Sequence, residues 1–156
     1  AEEDLLYNLN FLTVGDKIPN VDGVRLDGSA DTIATYQGQA VLLDFWATWC
    51  GPCIRAIPKM LELDSELPED HFEILSISVD EEVETVTEFH KTKPMPWTHW
   101  HVGPRADLLQ TWAVRGYPTY ILVDQDGAIV ARQHDLNKGF MDLIRDTACG
   151  PTGGSC

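Results

Sequence analysis

The sequence predicts an α/β domain: a central mixed β-sheet flanked by helices, with an N-terminal β-hairpin arm and a helix and strand inserted near the middle. Three observations carry this prediction. Val41-Leu42-Leu43-Asp44-Phe45-Trp46 and Glu73-Ile74-Leu75-Ser76-Ile77-Ser78-Val79 are short, nearly unbroken apolar runs, the pattern of strands buried on both faces. A helical stretch lies between them, and strand, helix, strand is the unit from which parallel sheets are built. Further on, Tyr120–Val123 and Ala128–Ala131 flank Asp126-Gly127, a tight-turn signal that folds the two runs into an antiparallel hairpin.

The remaining elements follow in order. Val14-Gly15-Asp16, Val21-Asp22-Gly23 and Leu26-Asp27-Gly28 read as turn signals that divide the arm into short extended pieces. The first helix is expected from about Cys50 to Leu67, with Ile54, Ile57 and Leu61 on its apolar face. Asp80 is expected to cap a second helix, with Glu81 and Glu82 in its first turn and Val83, Val86 and Phe89 as its stripe. Lys91 and Lys93 sit near its end and Pro94 stops it. Trp97 to Val102 reads as extended, and Gly103-Pro104 opens a short helix through Leu108 and Trp112. Asn137 caps a last helix carrying Phe140, Leu143 and Ile144, which Gly150 and Pro151 terminate. Residues 1–14 are therefore expected to be an N-terminal extension, 15–150 the domain and 151–156 a flexible tail.

Composition narrows the function classes. At 156 residues and 44% hydrophobic, the chain can bury a single core without metals or a disulfide scaffold. Its formal net charge of −14 repels phosphate backbones and anionic lipid, so nucleic acid and membrane surfaces are excluded as expected partners. No apolar run approaches the roughly 20 residues that span a bilayer. Ala1-Glu2-Glu3-Asp4 is the opposite of a basic signal-peptide start. A mature secreted or periplasmic protein fits that start, and a trimmed cytoplasmic one would look the same.

The chemistry centres on Trp49-Cys50-Gly51-Pro52-Cys53, placed where a buried strand gives way to a helix. A helix N-terminus offers unpaired N–H groups and a positive dipole end, which favour a thiolate on Cys50. Pro52 costs little in a first helical turn, and Gly51 lets a partner backbone approach. Lowering a thiol pKa from about 8.5 to about 7 raises its thiolate fraction at pH 7 roughly fifteen-fold. Intrinsic nucleophilicity falls about four- to six-fold over the same interval, so the net gain in attack is only about three-fold. Exposure of Cys50 and docking of the partner must supply the rest. Half of a zinc site and an inert disulfide are the alternatives for such a pair, but zinc needs two further ligands at suitable spacing. The remaining cysteines, Cys149 and Cys156, lie far away around Gly-Pro-Thr-Gly-Gly-Ser.

Asp44-Phe45-Trp46-Ala47-Thr48-Trp49-Cys50-Gly51-Pro52-Cys53 resembles the active-site segment of thioredoxins almost residue for residue. Arg115-Gly116-Tyr117-Pro118-Thr119 is similar to that family's cis-proline loop, and Pro58 to the proline that kinks its active-site helix. The arm, the insertion and Val123-Asp124-Gln125-Asp126-Gly127 look like the TlpA/ResA/DsbE-type branch of extracytoplasmic proteins. The resemblance covers the chain from about Gly15. It implies a thioredoxin fold and a protein thiol–disulfide oxidoreductase that reduces partner disulfides through Cys50 and Cys53, without a cofactor. It also implies a buried Asp44 as general base for Cys53. The substrate-binding set it implies is Trp49, Gly51, Pro52, Tyr117 and Pro118. The expected partners are a disulfide-containing protein and an upstream dithiol reductant, such as a membrane electron donor, acting on a monomer in the periplasm or another extracytoplasmic space.

The sequence departs from this family in two places. Ser76 stands where many thioredoxins carry a Lys that pairs with the buried Asp, and Ala56 where ResA-type proteins carry a Glu. Trp46 is expected in the core and Trp49 at a contact surface. His99 and His101 would share a strand face, readable as a transition-metal pair or a polar surface, while His71, His90 and His134 read as surface residues. Cys149 and Cys156 could form a local disulfide, remain free thiols, or relay electrons to the first pair. Two rivals are a thiol peroxidase, whose pattern wants Thr where Ala47 stands, and a Sco-type copper chaperone, which uses a longer Cys–Cys spacing and a distal His.

Overall fold

The computed structural model describes residues 14–150 and Cys156. Five strands form the main sheet: β3 (Ala40–Trp46), β4 (Phe72–Ser78), β5 (Thr98–His101), β6 (Thr119–Val123) and β7 (Ile129–Gln133), in the order β5-β4-β3-β6-β7. β3, β4 and β5 are mutually parallel, while β6 pairs antiparallel with both β3 and β7. Every residue of β3 and β6 is buried, which accounts for the unbroken apolar runs that reveal them in the sequence.

The helices are α1 (Gly51–Arg55), α2 (Ile57–Glu66), α3 (Val83–His90), α4 (Asp107–Thr111) and α5 (Lys138–Cys149). On one face of the sheet, Tyr120 packs against Phe140 of α5, and Arg145 of α5 pairs with Glu62 and Glu66 of α2. Trp46 packs against Phe89 of α3 on that same face. The opposite face carries α4 and the arm: Phe45 meets Trp112 edge-on, and the Trp112 indole donates to the Pro19 carbonyl at 3.3 Å.

The arm is a short hairpin of β1 (Asp22–Val24) and β2 (Ala30–Thr32). Asp31 ties it down, accepting from Arg25 Nε at 3.2 Å, from Trp100 Nε1 at 3.0 Å and from the Tyr36 hydroxyl. Gly23 does not make a turn, as its sequence neighbourhood implies; it lies inside β1. A Cβ there would come within 2.2 Å of Trp100, so glycine is required by the close approach of the indole.

Two helical expectations are corrected. The stretch from Cys50 to Leu67 is not one helix: Ala56 separates α1 from α2, with Pro58 in the first turn of the second. A proline within a continuous helix would lose a hydrogen bond and clash with the preceding turn. The break re-phases the apolar face, so Ile57, Met60 and Leu63 are buried while Leu61 is 37% exposed. Asp80 does not cap α3; Glu82 occupies that position without a side-chain bond, and Asp80 has another use.

Candidate active site

β3 ends at Trp46, and the chain leaves the sheet through the buried Ala47 to enter α1 at Cys50. Asp80 fixes this exit. Its carboxylate accepts from the Thr48 hydroxyl at 2.6 Å, from the Thr48 backbone N–H at 3.1 Å and from the Ser78 hydroxyl at 2.7 Å. The His101 ring donates through Nε2 to the Asp80 carbonyl at 2.7 Å. The end of β4 therefore holds the loop that presents Trp49 and Cys50.

Cys50 is the N-cap of α1, and its sulfur accepts from the Cys53 backbone N–H at 3.3 Å. The two cysteines form a disulfide with Cα atoms 5.3 Å apart. Both are nearly covered, whereas Trp49 beside them is 66% exposed. Pro52 sits in the first turn and is exposed. The Arg55 guanidinium lies over Gly51, one nitrogen 3.1 Å from where a Cβ on Gly51 would stand.

A second loop meets the one that bears Trp49. The Tyr117–Pro118 peptide bond is cis. Thr119 closes the loop by donating its hydroxyl to the Gly116 carbonyl at 2.6 Å. The Tyr117 ring meets Trp49 edge to face at 6.0 Å, joining the two loops at the surface. His134 donates through Nδ1 to the Pro118 carbonyl at 3.1 Å. Read as a plain surface residue, His134 is exposed but holds this loop from the end of β7, a role that no local sequence signal betrays.

On the face of the sheet that carries α5 lies Asp44, completely buried. It stands in one row across the sheet with Ser76, His99 and Tyr120. Ser76 donates its hydroxyl to Asp44 Oδ2 at 2.6 Å, and the Trp97 indole donates to Ser76 Oγ at 2.8 Å. Asp44 Oδ1 and the Tyr120 hydroxyl are both buried without a hydrogen-bond partner among the described residues. Burial pushes the Asp44 carboxyl up to about 7, and the Ser76 hydrogen bond opposes that rise only in part. A buried carboxyl near neutrality can hold or release a proton at physiological pH.

The histidines fall out differently from their strand-face pattern. His99 does not team with His101; it packs against His90 at 4.3 Å between ring centroids and donates through Nε2 to the Met95 carbonyl at 2.8 Å. Burial, reinforced by His90, pulls its imidazole down to about 4, so it is neutral at physiological pH. His90 is half-buried and stacked on Trp46, so it is not a plain surface residue. Among the described residues no group of three or more His, Cys, Asp or Glu comes together as a metal site.

Cys149 and Cys156 form a disulfide with Cα atoms 5.0 Å apart. It sits at the far end of α5. There Gln125, in the β6–β7 turn, donates to the Thr147 carbonyl at 2.8 Å. That turn lies at the start of β3, opposite the end from which Cys50 emerges. The length of the sheet, about 20 Å, separates the two cysteine pairs, so the relay between them does not fit the geometry.

Residues 13–143 match the family model described as Redoxin. The chain belongs to the Redoxin family. Within it, the chain is 33% identical over 127 residues to the thiol-disulfide oxidoreductase ResA of Geobacillus thermodenitrificans, covering 77% of this chain and 72% of that one. It is 29% identical over 119 residues to ResA of Bacillus thuringiensis, covering 76% and 68%. In fold, it is similar to the thioredoxin domain of a thiol-disulfide oxidoreductase from Bacteroides vulgatus, with a TM-score of 0.80, 24% identity, and 88% and 99% of the two chains covered. This Redoxin-family chain is thus a TlpA/ResA/DsbE-like thiol–disulfide oxidoreductase of thioredoxin fold, with Cys50–Cys53 as its CxxC pair.

Proposed function

We propose that the protein reduces disulfides in partner proteins, with Cys50 attacking, Cys53 resolving and Asp44 serving as the base. The observation that supports this reading is the Cys50–Cys53 disulfide at the N-terminus of α1, together with a buried carboxyl near neutrality at Asp44 in β3, the strand that leads into that helix. The Cys50 thiolate attacks one sulfur of the partner disulfide, forming a mixed disulfide and expelling one partner thiolate. Asp44 takes the Cys53 proton. Cys53 then attacks Cys50 Sγ, closing the internal disulfide and releasing the second partner thiolate. An upstream dithiol returns two electrons to the pair. Trp49, Gly51, Pro52, Tyr117 and Pro118 form the docking surface, on which the Tyr117 backbone meets an extended segment of the partner. The Gly-Pro spacer, as in thioredoxins, favours reduction over oxidation.

The protein acts as a monomer outside the cytoplasm, fed by a reductant such as a membrane electron donor. The Cys149–Cys156 disulfide supports an oxidising compartment. The test is kinetic trapping. Cys53→Ser should accumulate a mixed disulfide with a model protein disulfide, and Cys50→Ser should form none. Asp44→Asn should leave the first attack intact and slow release about ten-fold or more near pH 7. Release unchanged by Asp44→Asn across pH 6–9 removes Asp44 from the mechanism.

A further inference from the structure

We infer that Trp97, which precedes β5 in the inserted segment, is a positioning residue that governs the protonation of Asp44 through Ser76. The inference rests on reading Asp44 as the base. Ser76 has one hydroxyl hydrogen to give. The Trp97 indole can only donate, so its bond at 2.8 Å occupies a lone pair of Ser76 Oγ and leaves the hydroxyl hydrogen for Asp44 Oδ2, at 2.6 Å. Without the indole N–H the hydroxyl can rotate toward other acceptors, and the carboxylate loses its sole donor among the described residues.

The surroundings leave little else to set the charge of Asp44. From β6, Tyr120 faces it in register, with a hydroxyl that burial raises above the ordinary tyrosine range and that also feels Asp135. From β5, His99 lies one strand further along the row and is held neutral with His90 beside it. No lysine or arginine bonds to Asp44 among the described residues. A hydroxyl that donates to the carboxylate stabilises its charged form, so losing it raises the pH at which Asp44 ionises.

The experiment titrates Asp44 directly, by the carboxyl carbon resonance in reduced, aspartate-labelled protein, with Asp44→Asn identifying the signal. Ser76→Ala should move the midpoint upward by roughly one pH unit and Trp97→Phe by about half a unit. The double variant should shift no further than Ser76→Ala alone, because both act through one bond. Ser76→Thr, which keeps the hydroxyl, should restore the midpoint. Replacing Trp97 by benzothienylalanine removes the N–H at constant shape and should match Trp97→Phe, which guards against a folding defect. A Trp97→Phe midpoint equal to the parent's, or additive shifts in the double variant, would overturn the inference. A shifted midpoint with an unmoved pH profile of mixed-disulfide release would uphold Trp97 and instead refute Asp44 as the base.

Discussion

Asp44 makes folding stability depend on pH. In the unfolded chain its carboxyl ionises near the ordinary value of 3.8, and in the folded protein only at about 7. Below the lower value both states hold the proton and nothing is lost. Between the two the unfolded state gives up its proton first, so stability falls as pH rises; above the higher value the full penalty applies. Asp44→Asn removes that penalty. It should stabilise the protein at pH 8 by an amount on the order of a few kcal/mol and have little effect at pH 4. Denaturant melts at the two pH values check this, and equal shifts at both would show that the buried charge is not the cause. Asp44, Cys50 and Cys53 are legible in the sequence because strand, turn and helix place them within ten consecutive residues. Trp97, Asp80 and His134 are not, because each acts on a residue at least sixteen positions away. Ser76 announces only that a lysine is missing; the indole above it belongs to another strand's approach.

At the scale of elements, the exit of the chain from β3 matters most. The loop bearing Trp49 and Cys50 is held from β4 by Asp80, whose residue type fits a helix cap equally well. Local pattern cannot choose between those uses, because the competing partner lies on a neighbouring strand. Asp80→Ala leaves the buried Ser78 hydroxyl and the Thr48 groups without their acceptor. It should cost about 3 kcal/mol in a denaturant melt. It should also lower kcat/KM for a protein disulfide roughly ten-fold, through misplacement of Cys50. Full activity in the variant would mean that α1 alone orients the dithiol. The same limit on local pattern explains Gly23, whose turn-like neighbourhood hides a contact made by Trp100 of β5. It also explains the apolar stripe of the active-site helix, which is misjudged because Pro58 splits that helix in two.

For the whole molecule, the strand order and the sidedness of the helices follow from short right-handed connections between parallel strands, so the architecture is readable from the order of elements. The placement of the arm is not, since it depends on Asp31 collecting donors from Arg25, Tyr36 and Trp100. The separation of the two cysteine pairs also emerges only in three dimensions. Replacing Cys149 and Cys156 together with serine should leave turnover of a protein disulfide unchanged and lower stability by about 2.4 kcal/mol, the entropy of a short loop. Loss of turnover would show that the distant pair takes part in electron transfer after all. The geometry of this pole of the molecule has a practical side. Gly15 and Asp16 hydrogen-bond to Ile129 beside the β6–β7 turn, and α5 finishes at that same pole. A resin, a fluorescent domain or a lipid anchor joined at Cys156, which Cys149 ties to the end of α5, would therefore hold the protein by its base, with Trp49 and the dithiol turned outward toward whatever passes.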